Sequence, residues 1–218
     1  MIQVVVLDVD GVVIKRREMY FTERLARDRG VPFKPIASFV ERDLPQCMTG
    51  RADLKMVLKK YLPLWGWRGS VVSLMRYWFS HEATVDRRVL GSVAKLRRRG
   101  VTCYLATDNE KYRLAYLLHT VGLHKHFDGV FCSSDIGALK SDPRFWRAVR
   151  RRLKETLQLR SGNNVFRSSS VIVWDDGVEN IRAARAEGFQ ARVYRSFETY
   201  EKAVKGLPER AVLRKIFA

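Results

Sequence analysis

The sequence is poor in cysteine. Cys47, Cys103 and Cys132 are the only three in 218 residues. They are scattered and form no CxxC pair, so neither a zinc site nor a disulfide framework is indicated. That usage fits a reducing cytoplasm. Histidine is scarce too, with four in all, and His119, His124 and His126 lack the spacing of a metal site. No apolar run approaches the roughly 18 residues that a membrane span needs. The N-terminus does not read as a signal peptide: Met1 to Leu7 is largely apolar, but Asp8 and Asp10 follow at once and no basic stretch precedes it. Internal repeats and low-complexity tracts are absent. Acidic residues are few. Asp plus Glu number 23 against 41 Lys plus Arg, a net charge of +18. Such a balance suits anionic partners, whether phosphorylated substrates, nucleic acid or acidic surfaces, and suits solvated basic faces equally well.

What is present is enough apolar sequence, 46%, for a packed core and too much for intrinsic disorder. The length predicts one domain, or one domain carrying a smaller insert. Five short β-branched or apolar runs read as strands: Ile2–Leu7, Val101–Ala106, Gly129–Cys132, Val171–Trp174 and Ala191–Tyr194. Helical patterns lie between them. Val89, Leu90, Val93 and Leu96 share one face before Gly100. Leu114, Leu117, Leu118 and Val121 do so before Gly122. Asp142-Pro143 reads as a cap and first helical residue, followed by Trp146, Val149 and Leu153. Ile181 and Ala184 precede the terminator Gly188. Strand alternating with helix predicts an α/β fold, a Rossmann-like doubly wound parallel sheet.

One region breaks the alternation. From Arg16 to His81 there are helical stretches (Tyr20–Arg29, Ile36–Arg42, Ala52–Tyr61 and Val71–Phe79) and no strand. Pro32, Pro35, Pro45, Pro63 and Gly66 punctuate them. The expected organisation is a core of residues 1–15 and 82–218 with a helical insert at 16–81. Trp65, Trp67 and Trp78 fall in the insert and are expected to fill its own small core.

In an open parallel sheet, ligands bind beyond the carboxyl ends of the strands. Strand one ends in Asp8-Val9-Asp10-Gly11, strand two in Thr107-Asp108-Asn109, and strand four in Asp175-Asp176-Gly177. Lys140 lies just before the Pro143 helix. A strongly basic chain therefore gathers Asp8, Asp10, Asp175 and Asp176 where the strands converge. Crowded carboxylates take up protons or bind a cation. With Lys140 they leave an excess of negative charge that would repel a phosphate unless a divalent ion and a proton on Asp10 offset it. That is the logic of Mg²⁺-assisted phosphoryl transfer. Taken singly, each residue has an ordinary reading: a turn or helix cap for Asp8, Asp10, Thr107 or Asp108, and a solvated lysine for Lys140.

The order Asp8-Val9-Asp10-Gly11-Val12, Thr107, Lys140, Asp175-Asp176 resembles the four motifs of the haloacid dehalogenase superfamily, and the resemblance spans the chain. It implies a core with an inserted helical cap that shields the site. It implies Asp8 as a nucleophile forming an aspartyl-phosphate, and Asp10 as general acid and then base. Thr107 would donate to the phosphoryl oxygens, helped by backbone N–H groups at the start of the following helix, and Lys140 would hold Asp8 in register. Asp108 and Asn109 are grouped with Thr107 and Lys140 as phosphate-binding residues. Mg²⁺ would be held by Asp8, the backbone carbonyl of Asp10, and Asp176, with Asp175 in support; which of the adjacent pair contacts it first stays open. The dehalogenase branch usually lacks the second Asp, so Asp10 favours phosphate chemistry. The expected function is a Mg²⁺-dependent phosphatase acting on a phosphorylated small molecule. The alternative is a phosphomutase of the β-phosphoglucomutase type, for which Gly50-Arg51 is a loose match and Arg51 a candidate substrate ligand. Val12 and Trp174 depart from the usual pattern without removing a catalytic group.

Two basic runs are left over: Lys95, Arg97, Arg98 and Arg99, and the helical row Arg144, Arg147, Arg151 and Lys154. No nucleic-acid-binding signature accompanies them. A nucleic-acid-associated protein that kept the fold is the reading from a second class.

Overall fold

The computed structural model describes residues 2–161 and 166–206. Strand β1 (Val4–Asp8) is followed by α1 (Phe21–Arg29), α2 (Phe33–Ser38), α3 (Leu44–Met48), α4 (Leu54–Tyr61), α5 (Val71–His81) and α6 (Arg87–Arg98). Then come β2 (Thr102–Thr107), α7 (Lys111–Ala115), β3 (Gly129–Cys132), α8 (Ser133–Ile136) and α9 (Pro143–Ser161). The last elements are β4 (Val171–Asp175), α10 (Val178–Ala186), β5 (Gln190–Val193) and α11 (Phe197–Lys205). The five strands form one parallel sheet in the order β3-β2-β1-β4-β5. This is the doubly wound arrangement, and the order reverses around β1.

The sheet forms because its strands can be buried on both faces. Every residue of β1 and β4 is buried. Alternate residues feed two separate cores. Val5 and Leu7 join Val89, Val93, Leu96 and Trp174 on one face. Val4 and Val6 join Phe145, Trp146, Val149 and Leu153 on the other. Burying such side chains is worth about 1.5–3 kcal/mol each. Trp174 packs edge-on against Tyr200 at 5.4 Å and belongs to the core. With α9 seated by Trp146, Val149 and Leu153, Arg144, Arg147, Arg151 and Lys154 are exposed. The row is partly neutralised by Arg144–Asp142 at 2.6 Å and Arg147–Glu187 at 3.2 Å.

Helices α1–α5 gather a third cluster around Phe21, Leu25, Phe39, Leu58, Trp65, Leu74 and Trp78, with Trp67 half-buried at its edge. Phe21 stacks on Trp78 at 4.7 Å, and Phe39 meets Trp65 edge-on at 5.2 Å. The chain leaves and re-enters the sheet side by side: Lys15 N donates to Thr84 O at 2.8 Å and Asp86 N to Val13 O at 2.9 Å.

The expected breaks at Pro35 and Pro45 do not occur. Both prolines sit in the first turn of a helix, where no intrahelical N–H is needed. The chain runs from α2 to α3 through a wide π turn, Phe39–Asp43, in place of the single stretch Ile36–Arg42.

Candidate active site

Position 11 must be glycine. Its φ is +88°, and a Cβ there would lie 2.3 Å from Asp176 Oδ2. The tight turn after β1 therefore lets the carboxylate of Asp176, carried just past β4, lean over the backbone that follows Asp8 and Asp10. β1 and β4 are hydrogen-bonded neighbours in register, Leu7 beside Trp174. That pairing brings Asp8 beside Asp175 and Asp176 from distant stretches of the sequence.

Asp8, Asp175 and Asp176 each offer a carboxylate oxygen within 4.8 Å of the others. Lys140 is buried among them, its Nζ 2.5 Å from Asp8 Oδ1 and 2.7 Å from Asp175 Oδ2. The Val9 amide also donates to Asp8 Oδ1 at 2.7 Å. No hydrogen bond from a described residue reaches Asp8 Oδ2. Asp175 is fully committed: Oδ1 accepts from the Gly177 amide at 2.8 Å and Asn180 Nδ2 at 2.9 Å, and Oδ2 accepts from Lys140. Asp176 makes no hydrogen bond or ion pair to another described side chain.

The electrostatics follow from burial and crowding. Burial raises the Asp8 carboxyl well above its ordinary range; Lys140 opposes that and Asp175 adds to it. Burial and then Asp175 raise Asp176. Desolvation would lower Lys140, but Asp8, Asp175 and Asp108 outweigh it and raise its value. One buried ammonium thus faces three crowded carboxylates, a set that holds surplus negative charge. All the ligand atoms are hard oxygens, which suits Mg²⁺.

Asp10 stands apart from this cluster. Its carboxylate pairs with Arg17, with Arg113 Nη2 at 2.7 Å and with Asn109 Nδ2 at 3.0 Å. Burial pushes its carboxyl up, but Arg113 and Arg17 outweigh that and hold it below the ordinary value. Both arginines also reach Glu82, a buried acid at the end of the insert: Arg17 Nε lies 3.1 Å from Oε2, and Arg113 Nη2 donates to the Glu82 carbonyl at 2.9 Å. Arg17, Glu82 and Arg113 have no motif signal in the sequence, because arginine on a loop or helix is ordinary in so basic a chain. Asn180 could have been found as the first amide side chain after the acidic pair.

Thr107 is buried at the end of β2 and its Oγ1 lies 2.6 Å from Asn109 Nδ2. Asp108 Oδ1 accepts from the backbone amide of Lys140 at 2.9 Å, which fixes the loop carrying the lysine. The cap of α7 is not Asp108 but Glu110, whose carboxylate accepts from the Tyr112 amide at 2.8 Å and from the Arg113 amide. The helix-start amides expected to assist Thr107 are in part occupied by that cap. Lys140 is buried rather than solvated. Arg51 is not brought to this rim. It is exposed, bonds Gln46 Oε1 at 2.7 Å, and lines a cavity of about 500 Å³ with Asp53, Lys111 and Ser134 that includes none of the acidic cluster.

Solved structures with the same architecture are numerous. A HAD family enzyme of Bacteroides thetaiotaomicron, in complex with magnesium and inorganic phosphate, superposes with a TM-score of 0.70 at 16% identity, covering 90% of this chain and 96% of that one. A predicted HAD-like family hydrolase of Porphyromonas gingivalis gives 0.69 at 18% identity, covering 94% and 97%. The L-2-haloacid dehalogenase of Xanthobacter autotrophicus gives 0.59 at 18% identity, covering 95% and 84%. These likenesses establish the shared fold. No curated protein matches the sequence. The family model of the haloacid dehalogenase-like hydrolases matches residues 2–188, and with its parallel sheet and its acidic strand ends the chain belongs to that family.

Proposed function

We propose that the protein is a phosphatase that works through an aspartyl-phosphate on Asp8, with residues 16–81 acting as a cap over the site. The observation that carries this reading is the cluster of buried Asp8, Lys140 and Asp175 with half-buried Asp176, beside a second aspartate, Asp10. The dehalogenase branch has no need of an acid at position 10, and here that carboxylate is held by Arg17, Arg113 and Asn109.

Asp8, the backbone carbonyl of Asp10, and Asp176 would hold Mg²⁺. The two hydrogen bonds and the ion pair of Asp175 suit it to a supporting place, and the unpartnered carboxylate of Asp176 to direct contact. The ion, when bound, offsets charge on the phosphoryl oxygens. Lys140 fixes Asp8 Oδ1 and leaves Oδ2 to attack phosphorus in line. As the bond from phosphorus to the Asp8 oxygen forms, the bond to the alcohol oxygen breaks, and Asp10 supplies the proton that oxygen takes up. Asp10 then takes a proton from water as the water oxygen attacks phosphorus, and the Asp8 carboxylate is released. In the arrangement seen, the two guanidiniums keep Asp10 ionised, which is its form for the second half of the cycle. Release of the Arg17 contact would raise its proton affinity for the first half. Thr107 and Asn109 sit at the adjacent strand end as donors to the phosphoryl oxygens. A reducing cytoplasm suits the three buried free thiols.

The test is hydrolysis of p-nitrophenyl phosphate. Turnover should require Mg²⁺, and Asp8→Asn should lower it at least about a thousandfold. Equal rates for wild type and Asp8→Asn would remove the reading. Haloacid turnover in place of phosphate release would assign the chain to the dehalogenase branch instead.

A further inference from the structure

A cavity of about 430 Å³ lies between the helical insert and the strand ends. Asp10 and Asp108, just beyond β1 and β2, line it together with Tyr20, Val40, Leu44 and Met48 of the insert. Tyr20 is 52% exposed and Val40 41%, and both face the same cavity. Leu44 and Met48 are half-buried. Phe21, Phe39 and Trp78 stand behind them, and the stacked and edge-on contacts of that cluster make the wall rigid.

The charges in the same cavity are unbalanced. Asp10, Glu23, Glu82 and Asp108 line it with one guanidinium, Arg17; Arg17 and, from behind the wall, Arg113 are spent on Asp10 and Glu82, which leaves Glu23 and Asp108 without a cation in the lining. A second anionic group on a ligand would find no free cation among these lining residues and would meet the carboxylates of Glu23 and Asp108. A polyol would find acceptors only at the carboxylate end and would lay its remaining hydroxyls against the carbon of Val40, Leu44 and Met48, which is costly. An aromatic or branched-alkyl group would remove exposed apolar surface from water and meet complementary atoms.

We infer that the substrate is a monophosphate ester of an apolar, aryl-bearing alcohol, whose organic part seats on Tyr20, Val40, Leu44 and Met48 beside Asp10. This rests on the phosphatase reading above. It argues against a bisphosphate-primed mutase, since Arg51 lines a different cavity and cannot grip a second phosphate here.

The experiment compares kcat/KM, with Mg²⁺ present, for 2-phenylethyl phosphate and glycerol 3-phosphate. Both have alkoxide leaving groups, so the comparison isolates the wall. Acetyl phosphate reports the phosphoryl chemistry by itself. The aryl ester should be favoured at least about tenfold, mainly through KM. The double variant Val40→Asn, Leu44→Gln should reduce that ratio about tenfold. Competitive inhibition of wild type by 2-phenylethylphosphonate, against methylphosphonate, gives the same reading without any variant and should show the same preference. Turnover of acetyl phosphate together with equal or better use of glycerol 3-phosphate would overturn this inference and leave the phosphatase reading standing. No turnover of any of the three would overturn both.

Discussion

Lys140 shows how one residue binds stability to chemistry. It is 3% exposed and its ammonium is the counter-charge for Asp8 and Asp175. Removing one partner of a buried charge cluster costs about 3–5 kcal/mol, because the other charges stay buried without compensation. Lys140→Met should therefore lower the unfolding free energy from urea titration by that much in metal-free buffer, and Mg²⁺ should recover more stability in the variant than in wild type. A variant as stable as wild type would mean the carboxylates are not crowded as described. Asp10 gives a second, opposite signature. Its folded value lies below the ordinary 3.8, so its contribution to stability is present above that pH and is lost as pH falls through the folded value. Asp10→Asn should therefore flatten the acid side of the stability profile, measured as denaturant midpoint from about pH 7 to pH 3. An unchanged acid limb in the variant would contradict the double guanidinium contact. Single residues were legible where they follow a strand: Asp8, Asp10, Thr107, Asp175 and Asp176 are placed by β1, β2 and β4. Arg17, Glu82 and Arg113 were not, because they converge only when the two linkers to the insert pair beside the start of α7, and nothing local records that meeting.

Elements were legible in proportion to their periodicity. The five strands stand within two residues of where β-branched runs placed them, since burial on both faces leaves a continuous apolar signal. Helices α6, α9 and α10 carry one-sided apolar patterns and appear where expected. Helices α8 and α11 were missed. The first has four residues, too few for a period, and the second follows a serine cap, Ser196, that also reads as a loop residue. Four of the insert's five helices were found; α3, which opens on Leu44-Pro45, was read as a break, and the order of contact among the helices was not legible. Asp53 is a case in point. It caps α4 through the amides of Lys55 and Met56, and reaches across to Tyr112 Oη at 2.8 Å and Lys111 Nζ at 2.7 Å on α7. The hydrogen bond from Lys111, opposed by burial and helped by Tyr112, holds its carboxyl at about 2. Asp53→Ala should cost about 1–2 kcal/mol in thermal unfolding from the lost cap. Asp53→Asn, which keeps a capping oxygen, should recover most of it.

At the scale of the molecule, the net charge of +18 is the property least absorbed by the site. Basic residues line α9 and the end of α6, and only part of that charge is paired. Self-repulsion of this size destabilises the compact state and is screened by salt. Thermal midpoints should therefore rise between about 20 mM and about 200 mM NaCl; a fall would mean that specific ion pairs outweigh the repulsion. Among the described residues, no helix is long and apolar enough to cross a membrane. The parallel sheet decides the rest of the function. Its strand order turns around β1, so the ends of β1 and β4 meet where the chain reverses, and the insert enters at that same point. Sheet, acidic cluster and apolar wall are thus consequences of one topology.

The most direct measurement is the location of the phosphoryl group during turnover. Wild-type protein mixed with Mg²⁺ and acetyl phosphate, quenched in acid within milliseconds and digested, should yield the peptide carrying Asp8 heavier by one phosphoryl group, and Asp8→Asn should yield none. Steady phosphate release with that peptide unmodified at every quench time, or modification at another residue, would contradict the account.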